Sequence, residues 1–190
     1  LMATVKELIK LAESRLDDAS KDVNVAKVLF YHLADKQPHE LYLMYDEEVS
    51  SELEAKFLAG MEEYYQGKPI QYIKGVENFF GRDFKVNEDV LIPRYETEEL
   101  VENILYRIDD YFAEYQSITL CDVGTGSGAI ATSLALEEPR LKVFATDISL
   151  KAVTVAKDNA KNLGANIEFM VGAMLEPLLE HEIKVDIFVS

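Results

Sequence analysis

Residues 121–131 read CDVGTGSGAIA. Gly124, Gly126 and Gly128 alternate with Thr125 and Ser127, directly after Asp122 and the hydrophobic run SITL. Glycine takes backbone angles that a side chain forbids, and it lets main-chain amides come close to a ligand. Further on, the segment ATDIS closes a second hydrophobic run with Asp147. A carboxylate at the end of a second strand can accept hydrogen bonds from both hydroxyls of a ribose. Two cofactor classes use this layout. A dinucleotide requires G-x-G-x-x-G and sets its pyrophosphate on a helix N-terminus. Here the third glycine arrives one residue early, as G-x-G-x-G, and Asp122 stands two residues before the first. S-adenosylmethionine has no phosphate but carries an ammonium and a sulfonium, and an acidic residue at the start of the loop suits that charge. The spacing favours the methyl donor over NAD.

Such a loop needs a parallel sheet to hold it. From residue 117 the hydrophobic period changes to one that strands and helices share in turn. SITLCDVG is a strand before a glycine turn and a helix from about 128 to 137. KVFATDIS is a second strand, Leu150 to Leu163 a helix ended by Gly164, IEFMVG a third strand and KVDIFVS a fourth. This alternation predicts a parallel sheet with helices on both faces.

The residues before 117 read differently. ATVKELIKLAESRL puts Val5, Leu8, Ile9, Ala12 and Leu16 on one helical face. DVNVAKVLFYHLAD repeats the rhythm with Val25, Val28, Leu29, Tyr31 and His32, and Asp22 or Asn24 can cap it. QPHELYLMYD predicts a short helix, and SSELEAKFLAGMEEYYQG a longer one. The longer helix opens with a Ser51–Glu54 capping box, or with Ser50 one residue earlier, and stops at Gly67. His32 and His39 are lone histidines with structural or merely exposed roles. KPIQYIKG, residues 68–75, reads as a linker, and NFFGRDFKV as a β-hairpin around Gly81 and Arg82. In VLIPRYETEELVENILYRIDDYF, Pro93 ends a strand. Thr97 or Glu96 then starts a helix with Leu100, Val101, Ile104 and Leu105 on its apolar face.

Bulk properties narrow the class. The 190 residues are 48% hydrophobic, enough for a sizeable core. A single cysteine, Cys121, excludes an internal disulfide and suits a reducing cytosol. Its neighbours read as a buried strand, where cysteine serves as a small apolar residue rather than a nucleophile. No apolar run is long enough to span a bilayer, and no metal site is expected. The formal net charge of −16 disfavours direct nucleic-acid binding. A soluble, cytoplasmic, monomeric protein is expected. Leu1 ahead of Met2 reads as a leftover of recombinant expression, and no signal peptide is evident.

Residues 67–102, GKPIQYIKGVENFFGRDFKVNEDVLIPRYETEELVE, closely resemble the HemK-type release-factor glutamine methyltransferases. The family's pattern runs G-x-P-x-x-Y-I-x-G, then F-x-G-x-x-F-x-V, then V-L-I-P-R-P-E-T-E. With the helices before it and the glycine loop after it, the resemblance covers essentially the whole chain. It implies an α/β protein in three parts. These are a helical substrate-recognition domain at 1–67, a linker and β-hairpin at 68–92, and a Rossmann-like class I methyltransferase domain with a mostly parallel sheet at 93–190. The implied activity is transfer of a methyl group from S-adenosylmethionine to the glutamine nitrogen of the Gly-Gly-Gln motif in class 1 peptide-chain release factors. By resemblance, Asp122 and the loop Gly124, Thr125, Gly126, Ser127, Gly128 would hold the methionine end of the donor. Asp147 would take the ribose, with Ile148 beside it, and the segment 171–174, with Ala173 and Met174, would lie beside the adenine. Pro93, Arg94 and Thr97 would line the place where donor and substrate meet.

The sequence departs from that pattern in three places. Tyr95 replaces the proline after Arg94, which loosens the loop. Ala173 replaces an aspartate that would accept a hydrogen bond from the adenine amine. The family's Asn-Pro-Pro-Tyr, which grips the reactive amide, would follow Ser190, so no catalytic residue is expected within the 190 residues. A polypeptide ending at Ser190 is expected to be inactive. The residues alone also leave open an adenine N6 or other amino methyltransferase, and a module that binds the donor without transfer.

Overall fold

The computed structural model describes residues 3–190; Leu1 and Met2, and with them the reading of Leu1 as an expression leftover, lie outside the described residues. The chain divides into two compact units, one up to Lys74 and one of Gly75–Ser190.

The first unit is helical. Helix α1 (Val5–Asp18) starts at Thr4, whose side chain accepts from the Glu7 N–H while the Glu7 carboxylate accepts from the Thr4 N–H. Its buried residues are Val5, Leu8, Ile9, Ala12 and Leu16, the face that the spacing predicts. Helix α2 (Asn24–Leu33) has Val23 at its N-cap and no side-chain cap, so neither Asp22 nor Asn24 caps it; Asp22, one residue earlier, accepts from the Asn24 N–H. Its buried face is Val25, Ala26, Leu29 and Phe30, whereas Val28, Tyr31 and His32 are half-buried. The expected face is thus rotated toward Phe30, which meets Phe57 edge-on with ring centroids 5.6 Å apart. A 3₁₀ turn (Leu41–Met44) leads to helix α3 (Ser51–Tyr65), capped by Ser50 rather than Ser51. His39 is exposed, and His32 Nε2 lies 3.1 Å from the Lys74 carbonyl. The segment that reads as a linker contains a short helix, α4 (Ile70–Lys74). Pro69 starts it without losing a needed donor, and the Pro69 carbonyl accepts from Tyr72 and Ile73.

The second unit opens with an antiparallel hairpin, β1 (Val76–Phe79) and β2 (Arg82–Lys85). Its two-residue turn, Phe80 at φ +51° and Gly81 at φ +72°, has the left-handed angles that match the strand twist. Residues 90–92 do not form the expected strand. The chain turns at 87–90, where Val90 N–H donates to the Asn87 carbonyl, and Pro93 offers no donor for a ladder. A 3₁₀ turn (Tyr95–Thr97) leads into α5 (Glu98–Tyr111), which buries Val101 and Ile108 and leaves Leu100 36% exposed.

Strands β3 (Ile118–Val123), β4 (Leu141–Asp147), β5 (Ile167–Val171) and β6 (Ile187–Val189) form a fully parallel sheet in the order β5-β4-β3-β6. Helix α6 (Ala129–Glu137) joins β3 to β4, and α7 (Leu150–Leu163) joins β4 to β5. Side chains alternate across the strands. Leu120, Val143 and Ala145 face a core shared with α5 and α6, whereas Cys121, Val123 and Phe144 face Leu178. Leu178 belongs to α8 (Glu176–Glu180), a short helix that the sequence pattern did not announce. Successive strands run outward from β3 to β5, and β6 sits on the other side of β3. The strand order therefore reverses at β3, and the glycine loop leaves the carboxyl end of that strand.

Candidate functional site

The loop after β3 is held from three directions. From the side, the Thr146 carbonyl at the end of β4 accepts from Gly124 N–H at 2.8 Å and from Thr125 N–H at 3.0 Å. From within, Gly128 N–H donates to the Thr125 carbonyl. From beneath, Asp122 Oδ2 accepts from the Thr125 hydroxyl at 2.6 Å and from the Ala131 N–H at 3.3 Å. Gly124, Gly126 and Gly128 stand at φ +75°, +55° and +79°, where a side chain would be strained. A Cβ at Gly124 or Gly126 would have no atom of the described residues within 4 Å, so both glycines face open space.

Asp122 lies on the covered side of its loop. Strand alternation points it the same way as Leu120, under α6, and it is 1% exposed. Burial pushes its carboxyl up to about 6, against the lowering effect of its hydrogen bonds to Thr125 and Ala131. Its carboxylate is enclosed by the protein and fixes the loop above it.

Asp147 occupies the end of the adjacent strand. Its Oδ2 accepts from Gly126 N–H at 3.0 Å and its Oδ1 from Ser149 N–H at 2.9 Å, so one carboxylate joins the glycine loop to the start of α7. An ionised carboxylate offers about four acceptor positions, so both oxygens retain capacity. Beside it, Ile148 is 77% and Met174 68% exposed, two large apolar side chains left in water. Met174 is anchored there by its carbonyl, which accepts from the Thr146 hydroxyl. Ala173 is half-buried in the same turn, and Gly172 N–H donates to the Asp147 carbonyl.

Pro93, Arg94 and Thr97 meet Gly124, Thr125, Gly126 and Ser127 around a cavity of about 130 Å³. The cavity is small beside the ~300–1,000 Å³ of a pocket that encloses a drug-sized ligand. It has room for one end of such a ligand and no more. Gly128, Asp147, Ile148, Ala173 and Met174 are outside its lining. Tyr95 is 78% exposed and is likewise not a wall.

Sequence reasoning missed the remaining walls, above all Phe79 of the hairpin and Leu91 and Ile92 before Pro93. Leu91 is 69% exposed. It also missed what seats the hairpin. Glu98 Oε1 accepts from Phe80 N–H at 2.9 Å, Arg82 pairs with Glu137 at 2.5 Å, and Asn159 bonds both backbone groups of Lys85. Glu98 lies in the quoted ETE motif; Asn159 carries no local signal.

Among protein families, the PrmC N-terminal domain matches residues 7–75 and a methyltransferase domain matches residues 115–190. The chain is 42% identical over 189 residues to a release factor glutamine methyltransferase of Bacillus subtilis, covering 100% of this chain and 66% of that protein. It is 41% identical over 186 residues to the protein of that name from Bacillus anthracis, covering 98% and 65%. For Enterococcus faecalis the figures are 39% over 184 residues, 97% and 64%. The chain thus spans just under two thirds of the length of these curated relatives.

Proposed function

The chain belongs to the release factor glutamine methyltransferase family, and we propose that it supplies the donor-binding part of an enzyme that methylates a release factor. The donor is S-adenosylmethionine, and the acceptor is the side-chain nitrogen of the glutamine in the Gly-Gly-Gln motif. The observation that carries this reading is the direct bond from Asp147 to Gly126, in a loop where Gly124 and Gly126 face open space.

The residues fit such a donor. The open faces of Gly124 and Gly126 admit a ligand to the backbone. The spare acceptor capacity of Asp147 suits the two hydroxyls of a ribose. Ile148 and Met174 present apolar surface of the kind that packs on a flat purine. Gly124–Ser127 would hold the methionine end, in the cavity they share with Pro93, Arg94 and Thr97. When bound, the donor supplies a methyl group on a sulfonium, an electrophile that needs no further activation.

The acceptor is the harder half of the chemistry. An amide nitrogen is a poor nucleophile because its lone pair is delocalised into the carbonyl. Catalysis is then mainly alignment, and the chain's part is to offer a rigid seat. Asp122 and Thr146 fix the loop before any ligand arrives, which reduces the ordering cost of binding. Pro93 adds stiffness to the opposite wall through its fixed φ.

Titration calorimetry of the chain with S-adenosylmethionine tests the donor reading; saturable one-to-one binding is expected, and NAD binding in its place would overturn it. The acceptor reading is tested with the natural protein, labelled donor and a purified release factor. A single methyl on the Gly-Gly-Gln glutamine, located by peptide mass spectrometry, is expected. Label that appears in DNA or RNA and not in the release factor would overturn it.

A further inference from the structure

Asn159 lies in the middle of α7 and is 1% exposed, an unusual place for an amide. Its Oδ1 accepts from Lys85 N–H at 2.8 Å, and its Nδ2 donates to the Lys85 carbonyl at 3.0 Å and to the Ser127 carbonyl at 2.9 Å. Lys85 closes the hairpin strand β2, and Ser127 sits in the glycine loop between two left-handed glycines. One side chain thus grips two segments that are 74 and 32 residues away from it in sequence. One turn earlier on the same helix face, Ala156 supports the same loop. A Cβ on Gly128 would come within 3.0 Å of the Ala156 Cβ, so the loop is seated directly on α7.

The two gripped segments both contribute to the lining of the cavity. Phe79 comes from the hairpin and Ser127 from the loop. We infer that Asn159 is a positioning residue for the donor site, tying the hairpin wall to the glycine-loop wall and so setting the shape of the cavity they line. It touches neither donor nor acceptor. Its donation to the Ser127 carbonyl fixes the peptide that leads into Gly128, and its pair of bonds to Lys85 fixes where the hairpin stands over that peptide. The binding consequence rests on the donor reading above; the effect on the loop does not.

Two readouts on the same variants separate those dependencies. Asn159→Ala removes all three bonds. Asn159→Asp keeps the size and the acceptor for Lys85 N–H but places carboxylate oxygen against two carbonyls. Val153→Ala, a core cut in the same helix at a residue 1% exposed, is the stability control. By hydrogen exchange without ligand, the amides of Gly126 and Gly128 are expected to exchange about tenfold faster in both Asn159 variants, with the amides of β4 unchanged. In Val153→Ala the loop amides are not expected to be selectively affected. With S-adenosylmethionine, both Asn159 variants are expected to bind about tenfold more weakly at a temperature where all the proteins are folded, and Val153→Ala within about twofold of wild type. Loop amides that exchange at the wild-type rate in a folded Asn159 variant would overturn the inference. So would unchanged donor affinity. A wild-type chain that binds no donor sinks the donor reading alone and leaves the exchange experiment to decide the role of Asn159. If Asn159→Ala does not fold, Asn159→Asp, which retains the side-chain volume, carries both readouts.

Discussion

Asp122 and Asp147 lie near the ends of neighbouring strands and do different work because one is fully covered and the other only partly. Asp147 is half-buried, and its bonds to Gly126 and Ser149 leave acceptor capacity on both oxygens. Asp147→Ala is expected to weaken S-adenosylmethionine binding by about 1–3 kcal/mol, through loss of a charge-assisted partner and of the hold on Gly126. Unchanged affinity in calorimetry would remove Asp147 from the ribose site. Asp122 has the opposite signature, a carboxyl pushed by burial from an ordinary value of 3.8 to about 6. A raised value means that the folded chain binds the proton more tightly than the unfolded chain does. The stability this contributes is full below pH ~4 and is lost as the pH rises through about 6, a change of roughly 3 kcal/mol. Asn at this position cannot ionise. Urea unfolding from pH 4 to pH 7 is therefore expected to show wild type losing stability relative to Asp122→Asn, and parallel curves would show that Asp122 titrates normally.

At the scale of elements, the three loop glycines are not equivalent. Gly126 at φ +55° faces open space, so Gly126→Ala adds backbone strain alone, about 1–2 kcal/mol. Gly128 at φ +79° lies against Ala156, so Gly128→Ala adds overpacking of α6 on α7, for a total of about 2–4 kcal/mol. Urea unfolding of the two variants measures the difference, and equal losses would mean that α7 gives way. What could be read from the chain here was local in origin. The glycine spacing, the Gly164 stop of α7 and the face of α1 follow from bonds within a few residues, and each stands where the pattern puts it. The errors came from contacts made at a distance. The face of α2 turned toward Phe30 because Phe57 of another helix meets it there, and residues 90–92 before Pro93 join neither sheet. Asn159 is the extreme case. In KDNAKNLG it reads as one polar residue among several, and only the hairpin and the loop give it a role.

Over the whole molecule, the formal charge of −16 sets a background of self-repulsion. Several of its ion pairs, such as Lys56–Glu52 and Arg15–Glu62, are at least half exposed and contribute little. Salt should therefore relieve more repulsion than attraction. The thermal midpoint is expected to rise between about 0.01 M and about 0.5 M sodium chloride, followed by circular dichroism, and a fall would mean that paired charges dominate. No helix among the described residues is long and apolar enough to cross a membrane. The arithmetic of the chain is also constrained in a way that charge and composition are not. Asn159 meets Lys85 only through main-chain atoms, which every residue except proline provides in full. Chemistry at position 85 is thus free to drift over evolutionary time, while the residue count between the hairpin turn and that contact is not. One inserted or deleted residue in β2 would present the wrong side of the backbone to the amide. Among homologues, position 85 should vary in letter while the hairpin holds its length.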